Sequence, residues 1–472
     1  MTTDPDVIVV GASIAGNTAA TLLARGGARV LLLEKHTRED AYKVFCTHTL
    51  QPSAMPVIDR LGVRPAMEAA GAVHHSANYW TRWGWVRPRA EEGAEALPHG
   101  LNLRRQALDP IFRRMAAETP GVELRLGQTV TDLVREGDRV TGVRVKTRDG
   151  AEETIHARLV VGADGRFSRL AQLSGADMRV TPNNRFAYFA YFQDLQPRED
   201  PPTNIWFLDP DGAYVMPNED GVSVVIVAPK KTEEHLTAFR EDTEGAFRRF
   251  VRELPDAPPI DDAERVSKFN GMMDFSLRER HPQAAPGLAL VGDAALSTDP
   301  MWGIGCAWGM QSASWLADSV ADAFDTDDEV DAALDAYAGR HKAEVGGYQR
   351  LFENFASARP LNAMERLMYS ASIHDPQTAR HLYSFGSRLI KIPEFAASPA
   401  VARAVLAQQA VSVDESLASL REIPFLNVDE IEALGRERGL QAFMTGTERV
   451  LFEGLEGRAR FVRVAGGALV AE

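Results

Sequence analysis

Val7-Ile8-Val9-Val10-Gly11-Ala12-Ser13-Ile14-Ala15-Gly16, followed by Ala20 and Leu23 and then by Val30-Leu31-Leu32-Leu33-Glu34, decides the fold. Four consecutive β-branched residues read as a strand buried on both faces, which is what a parallel sheet requires. The spacing predicts a helix from about Ala15 to Arg25, packed through Ala20, Leu23 and Ala24 and ended by Gly26-Gly27. A dinucleotide loop wants one glycine for the tight turn and a second where backbone nears the pyrophosphate. A third lets helix and strand pack closely, and an acid about 20 residues on takes the ribose hydroxyls. Gly11, Gly16 and Glu34 meet three of these demands, and Ser13 holds the middle position with a small side chain. Ala12, Ala15 and Lys35 complete the expected cofactor-binding positions of this segment. The helix N-terminus brings unpaired N–H groups and the positive end of its dipole. The loop alone leaves NAD and FAD open.

Outward from this segment, 472 residues suggest two or three domains at about 150 residues each. A composition of 45% hydrophobic and 25% charged residues, with 37 Gly and 26 Pro, excludes disordered, collagenous and coiled-coil classes. A formal charge of −14 argues against nucleic acid as a partner, because binding it requires cations to displace counterions. Two cysteines, Cys46 and Cys306, make no disulfide framework, and a reducing cytoplasm is expected. No run approaches the roughly 18 apolar residues of a membrane span, and no Cys or His set has metal spacing.

Pro52 to Gly71 and Leu108 to Ala117 are predicted helical, and strands are predicted at Val122–Leu126, Val140–Lys146 and Leu159–Val161. Trp80, Trp83 and Trp85 crowd together before Pro88, while tandem His74-His75 reads as a solvated loop. From Phe186 to Val227 the pattern turns β-rich, with runs at Phe186–Phe192, Asn204–Leu208, Ala213–Met216 and Val222–Val227. Leu288–Val291 returns to a buried strand, a helix starts near Cys306, and Asp325 to Glu329 caps the helical pattern that follows.

Two later motifs favour flavin. Leu159-Val160-Val161-Gly162-Ala163-Asp164-Gly165 with Ser168-Arg169 resembles a strand-turn of flavoprotein hydroxylases. Leu290-Val291-Gly292-Asp293-Ala294-Ala295, then Asp299-Pro300 and Gly303-Ile304-Gly305, resembles the second flavin motif of that superfamily. With Arg105 and Asp109, four motifs fall in the superfamily's order between residues 7 and 320. The chain therefore resembles FAD-dependent oxidoreductases of the para-hydroxybenzoate hydroxylase fold, and in detail the flavin-dependent halogenase and geranylgeranyl reductase branches.

The resemblance implies an α/β fold in which a Rossmann-like FAD domain, residues 1–75, 100–180 and 280–325, interleaves with a β-rich substrate domain, 76–99 and 181–279. A mainly helical region, 326–472, would follow. It adds Cys46, Thr47, Arg105, Val130, Asp164 and Gly292 to the FAD-binding positions. Asp293, ending a strand, is placed to accept a ribityl hydroxyl. Pro300, Gly303 and Gly305, with Ile304 between them, let bare backbone pass against the isoalloxazine, and the helix beginning there turns its positive end to the ring.

The pattern departs from each branch. The halogenase Trp-x-Trp-x-Ile-Pro element is reduced at Ala213-Tyr214-Val215-Met216-Pro217 to its proline, although the Asp299–Gly305 loop matches the halogenase form. The arginines of phenol hydroxylases are replaced by a stretch in which Lys43 can take the cationic role. Geranylgeranyl reductases are matched in part by Cys46. The resemblance implies a monooxygenase that inserts one oxygen from O2, through a flavin C4a-hydroperoxide, into a bulky aromatic or natural-product molecule of secondary metabolism. Its electrons would come from NAD(P)H, directly or through a separate flavin reductase. A reductase, desaturase or halogenase is the alternative, and a flavin-binding scaffold without activity comes from a different class.

Phe186, Tyr188, Tyr214 and Trp302 are the expected substrate contacts, with Trp206 and Phe207 nearby, and Trp302 is placed to cap the ring. His48 is the candidate base on a phenol. Cys46 and Cys306 are expected as small buried thiols rather than a redox pair. Nothing in the residues indicates an oligomeric state.

Overall fold

Because strand-forming runs of two kinds alternate along the chain, it visits one sheet, leaves for a second and returns. Val7–Val10 (β1), Val30–Glu34 (β2), Val122–Leu126 (β3) and Leu159–Gly162 (β4) come first. Ala187–Gln193 (β5), Thr203–Phe207 (β6), Gly212–Pro217 (β7) and Val222–Ala228 (β8) build the second, and Leu288–Leu290 (β9) rejoins the first. The computed structural model describes residues 4–195, 203–396, 398, 400, 401, 404, 462–465 and 468–471.

The first sheet runs β9–β4–β1–β2–β3, all parallel, with Gln283–Ala285 antiparallel at the β9 edge. β1 lies between β2 and β4, which explains why all four of its residues are buried. Helices Ile14–Arg25 (α1), Arg105–Glu118 (α2), Gly305–Val320 (α3) and Asp327–Ala356 (α4) share one core with this sheet. Thr326 and Glu329 close a capping box at the start of α4, so the acidic run does cap that helix.

The second sheet is antiparallel from β5 through β8 and β7 to β6. β6 then pairs in parallel with Ala77–Thr81, which forms a hairpin with Gly84–Val86. The tryptophan-rich stretch is thereby a sheet edge. Helices Glu233–Glu241 and Thr243–Arg252 cover one face, against Phe186, Phe192, Trp206 and Val225. The other face carries Phe189, Phe207, Tyr214 and Met216 and looks toward Met301, Trp302 and helices Ala363–Ser372 (α5) and Pro376–Gly386 (α6).

Two expectations are corrected. His74-His75 is no solvated loop: Val73–His75 is a strand and His75 is buried, its Nδ1 3.3 Å from Thr203 Oγ1. A three-stranded sheet, Gln128–Glu136, Arg139–Thr147 and Glu152–His156, was expected only at its middle strand. At the C-terminus, in the region expected to be mainly helical, Val462–Ala465 and Ala468–Ala471 pair antiparallel, while 405–461 lie outside the described residues. Among the described residues no helix is long and apolar enough to cross a membrane.

Candidate flavin and substrate site

β1 is followed by Gly11 at φ 105, where a Cβ would sit 2.6 Å from the Ala163 carbonyl oxygen, and at Gly16 a Cβ would lie 1.8 Å from the Gly11 oxygen. The first and second motifs thus touch backbone to backbone, which only glycine permits. Ser13 opens α1 without a side-chain cap, and no acid occupies the first turn, so the N–H groups there are left for an anion. Glu34, 6% exposed at the end of β2, accepts from Ala12 N at 2.8 Å and His36 N at 2.9 Å. Its remaining lone pairs can still take hydroxyls. Lys35, next to it, is exposed.

Arg105 is buried at the start of α2 and clamps this turn. Its guanidinium donates to Ser13 Oγ at 2.7 Å and to both Asp109 oxygens at 2.6 and 3.0 Å. Asp109 also accepts from Lys43 N, and Lys43 Nζ reaches Asp293 Oδ2 at 2.8 Å. Asp164 accepts from Arg169 N and Leu170 N through Oδ2, while its buried Oδ1 has no partner among the described residues. Gly292, at φ 58, leaves room for Ala15: a Cβ on it would come within 2.9 Å of the Ala15 Cβ.

α3 likewise begins without a side-chain cap or an acid in its first turn. The turn before it, Pro300–Trp302, is held by buried Asp299, which accepts from Met301 N and Asn183 Nδ2, each at 2.9 Å. Gly303, at φ 59, faces Thr47, whose Oγ1 would be 3.8 Å from a Cβ there. Just inside α3, Cys306 Sγ lies 3.7 Å from Cys46 Sγ, which also accepts from His48 N. The bond from Cys306, with His48 and Arg105 beside it, holds the Cys46 thiol below the usual range.

His48, itself in left-handed backbone at φ 63, accepts from Arg105 N at Nδ1 over 3.0 Å. That occupancy puts the ring proton on Nε2, which lies 2.9 Å from the Tyr191 hydroxyl. Burial pushes the Tyr191 phenol up, so it remains a donor.

Gly11, Ala12, Ser13, Ala15, Gly16, Glu34, Arg105, Asp164, Gly292 and Asp293 gather around the first loop and its neighbours, and Cys46, Thr47, His48, Gly303 and Cys306 around the second. Val130 packs its side chain with Val10 and Leu33, so only its backbone is available to a nucleotide. Tyr214 donates its hydroxyl to Met301 O, and Trp302 stacks on Phe352 at 4.9 Å. Phe186 and Tyr188 are corrected: both pack on Phe239 across the sheet, away from the second loop. Strand alternation gives the facing positions to Phe189 and Tyr191, with Phe45 edge-on to Phe189 at 5.0 Å.

The donor set fits FAD. Two uncapped helix N-termini suit the pyrophosphate and the anionic edge of reduced flavin, Glu34 and the free Asp164 oxygen suit hydroxyls, and Gly303 to Gly305 offer bare backbone to a flat ring.

Proteins of known sequence and structure resemble this chain over most of its length. The chain is 26% identical over 357 residues to digeranylgeranylglycerophospholipid reductase 1 of Methanopyrus kandleri, covering 72% of this chain and 86% of that one. It is 29% identical over 395 residues to kynurenine 3-monooxygenase of Salinispora arenicola, covering 78% and 82%. The solved flavin-dependent brominase Bmp2 shares the fold, with a TM-score of 0.63 at 19% identity over 92% of this chain and all of that one. A family model described as the FAD binding domain matches residues 4–345, and the chain accordingly belongs to that family of FAD-dependent oxidoreductases.

Proposed function

We propose that this protein is a monooxygenase that inserts one atom of O2 into a bulky, aromatic or natural-product small molecule. The observation that carries the reading is the aromatic sheet face of Phe189, Tyr191, Phe207 and Tyr214, set opposite the Pro300–Gly305 loop and bordered by Phe45 and Trp302. Bound FAD, once reduced, supplies the activation of O2. The protein's own residues do the rest. Phe45, Phe189 and Phe207 keep water out, which protects a reactive oxygen species from wasteful breakdown. His48 holds its proton at Nε2 and orients the Tyr191 hydroxyl, which is then free to donate to a phenol or amine oxygen or nitrogen of the substrate. Arg105 fixes both the Ser13 turn and the His48 ring, tying the nucleotide end of the site to its reacting end. The reductant in this reading is NAD(P)H, acting directly or through a separate flavin reductase.

The mass of the product tests the proposal. Reduced holoenzyme is mixed with O2 and candidate aromatics, and a gain of one oxygen atom is expected. Exchange of a hydrogen for a halogen, or a difference of two hydrogens with no oxygen gained, overturns it.

A further inference from the structure

Beyond the end of α6, Arg388 stands in left-handed backbone at φ 59, half-buried as a residue with its Nε fully enclosed. Its guanidinium lies over three rings, Trp302 at 5.3 Å, Phe352 at 5.1 Å and Tyr348 at 5.7 Å. Nη1 donates to Gly386 O, and Nη2 to Trp302 O at 3.3 Å. Among the described residues no carboxylate pairs with it, and its buried Nε has no partner at all. A buried cation without a counter-ion is costly, and partial carbonyl contacts recover only part of its lost hydration. Burial pulls its pKa down to about 10, so the charge persists at neutral pH.

The neighbourhood is one of donors. Trp302 Nε1 is also buried without a partner among the described residues. The rings of Tyr79, Tyr369 and Trp302 all contact that of Phe207, at 6.1, 5.4 and 6.0 Å, and burial keeps both phenols protonated. The Tyr79 hydroxyl would be 3.3 Å from a Cβ on Gly386, two residues before Arg388. Glu365 and Glu394 act on the neighbouring phenols of Tyr369 and Tyr348, but among the described residues none of the acids pairs with Arg388, and its free Nε leaves an acceptor to be supplied by a ligand. One guanidinium balances one negative charge, and its planar fork matches the two oxygens of a carboxylate.

We infer that Arg388, Trp302 Nε1 and the phenols of Tyr79 and Tyr369 form a subsite for the carboxylate of the substrate, which is therefore an aromatic acid. The inference rests on the oxygenation reading, because Trp302 belongs to the loop assigned to the flavin ring. It also answers why a cation sits in an aromatic cage: the rings fix the guanidinium plane and dry the site, and the unpaired Nε edge waits for a bidentate partner.

Calorimetric titration of the full-length holoenzyme with indole-3-acetate and salicylate, and with their carboxamides, tests it. The acids are expected to bind about tenfold or more tightly than the amides. Arg388→Gln should abolish that preference. Tyr79→Phe and Tyr369→Phe, which keep ring volume, should weaken the acids several-fold and leave the amides unchanged. Acids and amides binding alike, a preference that survives Arg388→Gln, or no binding of any acid overturns the subsite. Flavin content and product mass are read on the same samples. Oxygenation without acid preference defeats the subsite alone, and acid preference without oxygenation defeats the monooxygenase reading alone.

Discussion

Gly16 has no space for even one carbon, because the obstacle 1.8 Å away is the Gly11 carbonyl oxygen and not a movable side chain. Gly16→Ala must therefore open the β1–α1 turn, and the expected result is a protein largely stripped of flavin, measured as the ratio of flavin to protein absorbance. Gly339, exposed within α4 with nothing within 4 Å of a Cβ, is the contrasting case. Gly339→Ala should raise stability by about 1 kcal/mol with flavin content unchanged, as read from denaturant melts. Both outcomes depend on backbone geometry confined to a few residues, and that is why Gly11, Gly16 and Glu34 were legible in the sequence. Arg388 was not. Its cage is assembled from Tyr79, Trp302, Tyr348, Phe352 and Tyr369, and no local pattern links positions so far apart.

At the scale of the element, β5 shows where pattern reading runs out. Phe186 through Phe192 carries aromatic residues at both parities, so the period of two that normally marks a buried face is invisible. Both faces of this strand are in fact covered, one by the helices around Phe239 and Phe247, the other by Phe45 against Phe189. Strand positions were readable within a residue or two; the face turned toward the second loop was not, since that depends on where α5 and α6 pack. Gln128–Glu136 escaped for the opposite reason, being a half-exposed strand with polar residues on its outer face. The alternation makes a testable contrast. Phe186→Ala should cost about 3–5 kcal/mol of stability, the range for emptying a buried phenylalanine site, and leave the turnover of correctly folded molecules intact. Tyr191→Phe should barely move the melting temperature while lowering kcat, because it removes only the hydroxyl that His48 orients.

Across the whole molecule, the interleaved path makes the two sheets one packing problem, and two buried histidines report on it. His75 joins the strand Val73–His75 to Thr203 of β6, and His341 of α4 packs edge-on to Trp315 of α3 at 6.1 Å. Burial lowers both to about 4, from an ordinary 6.5. Each is thus neutral in the fold, whereas the unfolded chain takes up a proton as pH drops past 6.5. The folded state binds fewer protons in that interval, so stability is complete above about pH 6.5 and falls continuously toward pH 4. At pH 5 the loss is on the order of 2 kcal/mol for each histidine. Carboxylates that titrate below 4 add to the decline only at the acid end of this interval. Chemical melts between pH 8 and pH 5 should therefore show a steep decline, and the double variant His75→Gln, His341→Gln should flatten it. A slope between pH 6.5 and pH 5 that is the same in variant and parent would mean that neither ring is held neutral, and that the seams between β6 and its neighbour strand and between α3 and α4 admit water.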